Sequence, residues 1–215
     1  MLEILRKKNP GIKFNSVLDD EFKTFGAILE NIDASEFIKA GKEIDMSEKV
    51  SYAPSVKEFE CLNEANAIEN ELFGTLPAQI GCCWGHNTLM NATEWHTSDE
   101  INIALTPLVL LLGHVWDVVC DKIDSSKFTA FYVPKGVAIR CFATTLHYCP
   151  CQVSDEGFMC VVALPQGTNT ALETKVKEKK LTAKNKWQIC HYENAAAIER
   201  NVKPGITGIN HNIKY

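Results

Sequence analysis

Glu94, His96 and Glu100 form the tightest grouping of metal-ligating residue types in the chain, inside the stretch GHNTLMNATEWHTSDE from Gly85 to Glu100. Side chains alternate faces along a β-strand, so Glu94 and His96 project together while Trp95 points the other way. Glu100 keeps the same parity if the strand continues, or returns from a turn made by Thr97, Ser98 and Asp99. Two carboxylates and an imidazole suit a hard or borderline divalent ion: Zn, Mn, Fe or Ni. A hydrogen-bonded pair in a sheet without metal is the bland alternative for Glu94 and His96.

The elements that must position these residues fall into two textures. Before residue 77 the chain is punctuated by Pro10, Gly11, Pro54 and Gly74, with apolar residues at helical spacing. The acidic run Asp19-Asp20-Glu21 ahead of Phe22, Phe25, Ile28 and Leu29 predicts one helix. Ala34 to Ala40 predicts a second. Ser55 with Glu58 reads as a capping box opening a third, which runs towards Leu72 and stops at Gly74.

From Ala78 the texture becomes short apolar runs between turn residues. Strands are expected at 79–84, 88–96, 100–105, 108–115, 128–133, 137–142, 145–149 and 158–164, with a last one at 186–192. About eight strands without intervening helices mean a sandwich, jelly roll or barrel. Pro134-Lys135-Gly136 is a tight turn, Asp121 to Lys127 a polar loop, and the KVKEKK run a solvated segment. The expected division is a helical extension over 1–76, a barrel over 77–192 and a tail over 193–215 in the same domain.

Composition narrows the partners. The 215 residues are 46% hydrophobic, enough for one sizeable core, and the net charge of -5 argues against nucleic acid or an anionic membrane surface. The N-terminal MLEILRKKNPGIKF lacks an apolar leader core, and the longest apolar run is far too short for a bilayer, so a cytoplasmic protein is expected. Nine cysteines in that setting read as reduced and mostly packed. Cys149-x-Cys151 lacks the second knuckle that a structural zinc site requires.

These motifs resemble the cupins. Their first motif sets a His-x-His pair three or four residues before a Glu, and Glu94-x-His96-x-x-x-Glu100 falls into that frame with Glu94 replacing the first His. Pro134-Lys135-Gly136 matches the second motif's turn, while Ile139 stands where that motif carries a His and Pro107 where the first motif closes on Gly. His147, in TTLHYCPC, is then the nearest available fourth ligand. The run QIGCCWGHN, EWHTSDEINIAL, FYVPKG, TTLHYCPC and NKWQI is also similar to an uncharacterised bacterial cupin-like family, a domain of unknown function.

The resemblance implies a mainly β, cupin-type double-stranded β-helix (jelly-roll barrel) with a helical N-terminal extension, and a metal held by Glu94, His96, Glu100 and His147. It implies a homodimer through exposed sheet edges. A divalent ion so held leaves room for a carbonyl and a neighbouring hydroxyl, and steadies the enediolate formed when a proton leaves the adjacent carbon. Glu94 or Glu100 would be the base. His86, Asn87, Asn91, Lys135 and Arg140 are the polar groups expected to bind substrate, Arg140 with bidentate geometry. The expected function is isomerisation or epimerisation of a small sugar, sugar phosphate or sugar acid, against two alternatives: a non-catalytic metabolite-binding cupin and an Fe(II) oxygenase.

Overall fold

Period-two alternation with both faces apolar is what a strand needs when it is covered on both sides, and the stretch Glu100–Ala104 is buried at every position. Ile101 and Ile103 face outward under helices, packed with Phe37, Phe59 and Ile68. Glu100, Asn102 and Ala104 face inward. That single strand already separates an apolar outer layer from a partly polar interior.

The computed structural model describes residues Met1–Tyr215. Eight strands form the barrel: β1 (Ala78–Gly85), β2 (Ala92–Trp95), β3 (Glu100–Ala104), β4 (Leu108–His114), β5 (Thr129–Val133), β6 (Ala138–Cys141), β7 (Thr145–Leu146) and β8 (Phe158–Pro165). One sheet runs in the order β1-β8-β3-β6. The other runs β2-β7-β4-β5, with β2 joined to β7 by an antiparallel bridge between Glu94 and His147. Two four-stranded antiparallel sheets in these orders make a jelly roll, the double-stranded β-helix of the cupin type. Leu110, Leu112, Phe131, Ile139, Phe158 and Val162 fill the space between them.

A sheet edge exposes unpaired backbone groups, and all four barrel edges are covered by other parts of the chain. Ser51–Ala53 adds to β1 and Gly26–Ile28 to β6. Lys13–Ser16 lies parallel to β5, and Lys186–His191 lies antiparallel to β2. The first three of these added segments are the outer strands of their sheets. The N-terminal region packs short helices on the barrel and also lends it three strands.

Two of the expected helices are shorter than their spacing suggests. Asp20–Thr24 forms one 3₁₀ turn, after which Gly26–Ile28 pairs with β6. A Cβ at Gly26 would stand 2.2 Å from the Arg140 carbonyl oxygen, so glycine permits this pairing, which overrides the helical pattern. Ser55 does not cap a helix. Its hydroxyl bonds the Glu60 carboxylate, and the expected long helix breaks into Lys57–Glu60, Asn63–Ala67 and a π turn at Ile68–Leu72. Gly74, at φ +60°, ends it. The C-terminal residues contribute a helix, Ala195–Glu199, and a strand, Lys203–Thr207, before Ile213 bonds back to Thr88. No helix is long and apolar enough to cross a membrane.

Phe59 is fully buried between the N-terminal helices and the barrel, whereas Leu18 is 63% exposed. Phe59→Ala is expected to destabilise the fold by about 3–5 kcal/mol, and Leu18→Ala to change it by less than about 0.5 kcal/mol, in urea unfolding followed by tryptophan fluorescence.

Candidate metal centre

The pairing of β2 with β7 sets Glu94 opposite His147, since the Glu94 amide donates to the His147 carbonyl and the His147 amide to the Glu94 carbonyl. Alternation then carries His96, two residues on, to the same interior face, and Glu100 enters from the first position of β3. All four side chains are buried.

Their orientations are fixed by the backbone. The His96 Nδ1–H donates to the Asn185 carbonyl at 2.6 Å, and the His147 Nδ1–H donates to the Thr145 carbonyl at 2.9 Å. A ring whose Nδ1 donates presents a lone pair at Nε2 when neutral. Neither Nε2 has a hydrogen-bond partner. Both stand 3.3 Å from the same oxygen, Glu100 Oε2, and His96 Nε2 is 3.9 Å from Glu94 Oε1. The donor atoms of Glu94, His96 and His147 also lie within 4.8 Å of one another.

Two nitrogen lone pairs aimed at two carboxylates repel unless a cation sits among them. A proton is the minimal cation. Burial would lower the His147 pKa, but the Glu100 charge and contact, aided by Glu94, overcome it and raise it to about 9. Burial would raise the Glu100 pKa, yet His147 and His96 together hold it well below the ordinary carboxylate range. A divalent ion is the other cation these donors could take, since Glu100 Oε2 faces both Nε2 atoms and the donor atoms of Glu94, His96 and His147 lie close together. Donors about 2.0–2.1 Å from one tetrahedral ion stand about 3.4 Å apart, close to the spacing around Glu100.

Further residues brace the four. Asn185, in a left-handed turn at φ +54°, presents its carbonyl to His96 while its side chain binds Thr97, Ser98 and Thr168. Asn102 donates to Glu100 Oε1 at 2.8 Å. Lys186 Nζ lies 2.6 Å from Glu94 Oε2, and the Gln188 amide donates to the same oxygen at 3.4 Å. Ligands supported in this way keep their orientation and basicity. Asn185, Lys186 and Gln188 escaped the sequence reading because they come from a strand and the turn before it, about ninety positions beyond Glu94, with no spacing motif of their own.

A cavity of about 140 Å³ opens onto the centre, lined by Glu94, Glu100 and His147 together with Tyr52, Asn169 and Lys186, among others. Burial raises the pKa of Tyr52, so its hydroxyl stays protonated. A larger open groove of about 520 Å³ lies by Ser55, Glu60 and Glu69 and contains none of the four donors.

The five residues expected to bind substrate lie outside this cavity. The His86 ring bridges the Ser47 and Asp155 carbonyls, and Asn87 clamps Leu89 and Pro150. Asn91, at φ +56°, accepts from the His191 amide and pairs with Asn210. Lys135 sits in the turn between β5 and β6. Arg140 points away from the interior, as its neighbours Ile139 and Cys141 point in, and pairs with Asp99 at 2.6 Å. Ile139, at the position of the cupin motif's last His, is core, and His147 on β7 is the imidazole that faces the donors.

No curated protein matches this chain. Similar solved structures include Bacillus subtilis oxalate decarboxylase. One, described in work on its Mn(II) centres, is 11% identical at TM-score 0.33, with 57% of this chain and 27% of that chain covered. Another, at pH 4.6, is 12% identical at TM-score 0.33, with 54% and 25% covered. This chain spans about a quarter of the length of those chains. A family model described as "Domain of unknown function (DUF4867)" matches residues 14–211, nearly the whole sequence, and the chain belongs to that family.

Proposed function

We propose that this protein is a metal-dependent cupin enzyme that moves a proton between carbon and oxygen in a small hydroxy-carbonyl compound, as in isomerisation or epimerisation. One observation carries the reading: two buried imidazoles, each held by its Nδ1–H, turn unpartnered Nε2 atoms towards buried carboxylates. His96, His147 and Glu100 would hold a divalent ion, with Glu94 Oε1 as the fourth donor. Such an ion, when bound, supplies a Lewis acid for a carbonyl or alkoxide oxygen.

The protein's own groups divide the remaining work. Glu100 is pinned by Asn102 and both imidazoles, and its low pKa makes it a poor base. Glu94 has its second oxygen, Oε2, beside Lys186 at the cavity wall, within reach of a bound molecule. Glu94 is therefore the proton carrier.

A second reading has its own support. Glu94, His96 and His147 make a group of two histidines and one carboxylate, a set that also serves Fe(II) oxygenases. Oxygen consumption by the iron-loaded protein with a bound substrate would favour it over proton transfer.

Elemental analysis of untagged protein is expected to find one divalent ion per chain, lost in folded His96→Ala and His147→Ala variants. A metal-free parent after incubation with Mn, Fe, Ni and Zn would overturn the reading. Asn185→Gly keeps the backbone carbonyl that holds His96 but loses the side-chain bonds to Thr97, Ser98 and Thr168 that fix this turn, and is expected to weaken metal binding by up to about tenfold.

Metal must displace the proton from His147. Apparent affinity is expected to rise about tenfold per pH unit up to about pH 9 and then level off, as competition titrations with a chelator would record. The metal-free protein has the opposite trend. A pKa raised from 6.5 to about 9 contributes stability that is full below 6.5 and lost as pH rises through 9, which thermal melts would register.

In D₂O, exchange of the carbon-bound proton next to the carbonyl or carboxylate of a turned-over substrate, read by NMR, is expected to fall about 10²–10⁴-fold in Glu94→Gln compared with the parent at full metal occupancy. Unchanged exchange would remove Glu94 from that role.

A further inference from the structure

We propose that Lys186 is the carboxylate anchor of the cavity and that the molecule bound there is a small monoanionic α-hydroxy or α-oxo acid, not a sugar phosphate. This rests on the metal reading above and narrows it. Lys186 is delivered by Lys186–His191, the strand that covers the β2 edge, where Gln188 pairs with Glu94 and Trp187 with Trp95. Its ammonium carries three donors and has one partner, Glu94 Oε2, leaving two donors at the cavity wall.

Charge sets the sign and number. A divalent ion with Glu94, Glu100 and Lys186 around it leaves one net positive charge in a buried space, where an uncompensated charge is costly. A monoanion cancels it. A dianion would overshoot, and a neutral molecule would leave it standing.

Volume sets the size. Each water-sized occupant needs about 10–15 Å³ on this measure, so 140 Å³ takes on the order of ten non-hydrogen atoms. That suits a two- to four-carbon acid and is too small for a hexose phosphate. The cavity also offers recognition for a hydroxyl: Asn169, whose backbone amide bonds the Lys184 carbonyl, lines it with its Oδ1 unpartnered, and its side-chain amide donates to the Tyr52 hydroxyl at 3.2 Å. A carboxylate on Lys186 and a donating hydroxyl on Asn169 would hold such an acid by two different groups.

Calorimetric titration of the metal-loaded full chain with glycolate, lactate and glycerate, and with glyceraldehyde and glucose phosphate as contrasts, tests this. At least one of the three acids is expected to bind, with glyceraldehyde and glucose phosphate at least tenfold weaker. Lys186→Gln, which can still hydrogen-bond Glu94, is expected to lose acid binding tenfold or more when compared at full metal occupancy, and Lys186→Arg to restore much of it. Binding of glucose phosphate as tight as the acids, no binding of any acid, or Lys186→Gln binding them like the parent would overturn the inference while metal content leaves the parent reading standing. A parent that takes up no metal would overturn both.

Discussion

Two imidazole lone pairs held against two carboxylates in a buried space is the arrangement on which the rest of this molecule depends. It is unfavourable unless a cation occupies the middle, because the two Nε2 lone pairs face carboxylate oxygens in a buried space. The backbone enforces it from both sides. Thr145 and Asn185 engage the opposite ring nitrogens, and the β2–β7 bridge sets Glu94 across from His147. A site that raises one histidine to a pKa of about 9 while pushing its carboxylate partner down stores affinity for positive charge.

The strands added to the barrel edges have two roles. They remove unpaired backbone, as any sheet requires, and one of them also completes the centre. Lys186–His191 lies on β2, so covering that edge and delivering Lys186 and Gln188 to Glu94 are the same event, while Asn185 just before it reaches His96. Folding of residues far beyond the barrel's own strands is thereby coupled to the geometry of the metal donors. On the opposite sheet, Ser51–Ala53 covers β1 and brings Tyr52 to the cavity in the same way.

Glu94 ties the two halves of the functional reading together. One oxygen faces His96 and the other faces Lys186, so its charge is shared between a metal site and a cation that can engage an anion. Removing Lys186 alters how Glu94 is compensated as well as what the cavity binds. The two effects separate in measurement, since metal content reports one and the charge dependence of ligand binding the other.

Local pattern alone located the barrel strands and put Glu94 and His96 on one face. Alternation and turn residues located all eight barrel strands to within a few positions, and Glu94-x-His96 shares a face because a strand's period is two wherever it is placed. His147 had no spacing argument of its own. It entered through the cupin frame, and only the β2–β7 pairing puts it opposite Glu94. The same logic explains the misplacements. Arg140 and Lys135 are adjacent to motif residues in sequence but on the wrong parity or in a turn, His86 and Asn87 spend their polar atoms on backbone, and Asn91 pairs its side chain with Asn210. The helix expected through Phe22 and Leu29 lost to a sheet edge that its residues could not reveal. Short-range periodicity therefore determined which residues could share a face, because that follows from backbone geometry. Only the tertiary structure decided which faces meet, and with them Lys186, Asn185 and Tyr52, because those contacts depend on edge pairing between segments separated by tens of residues.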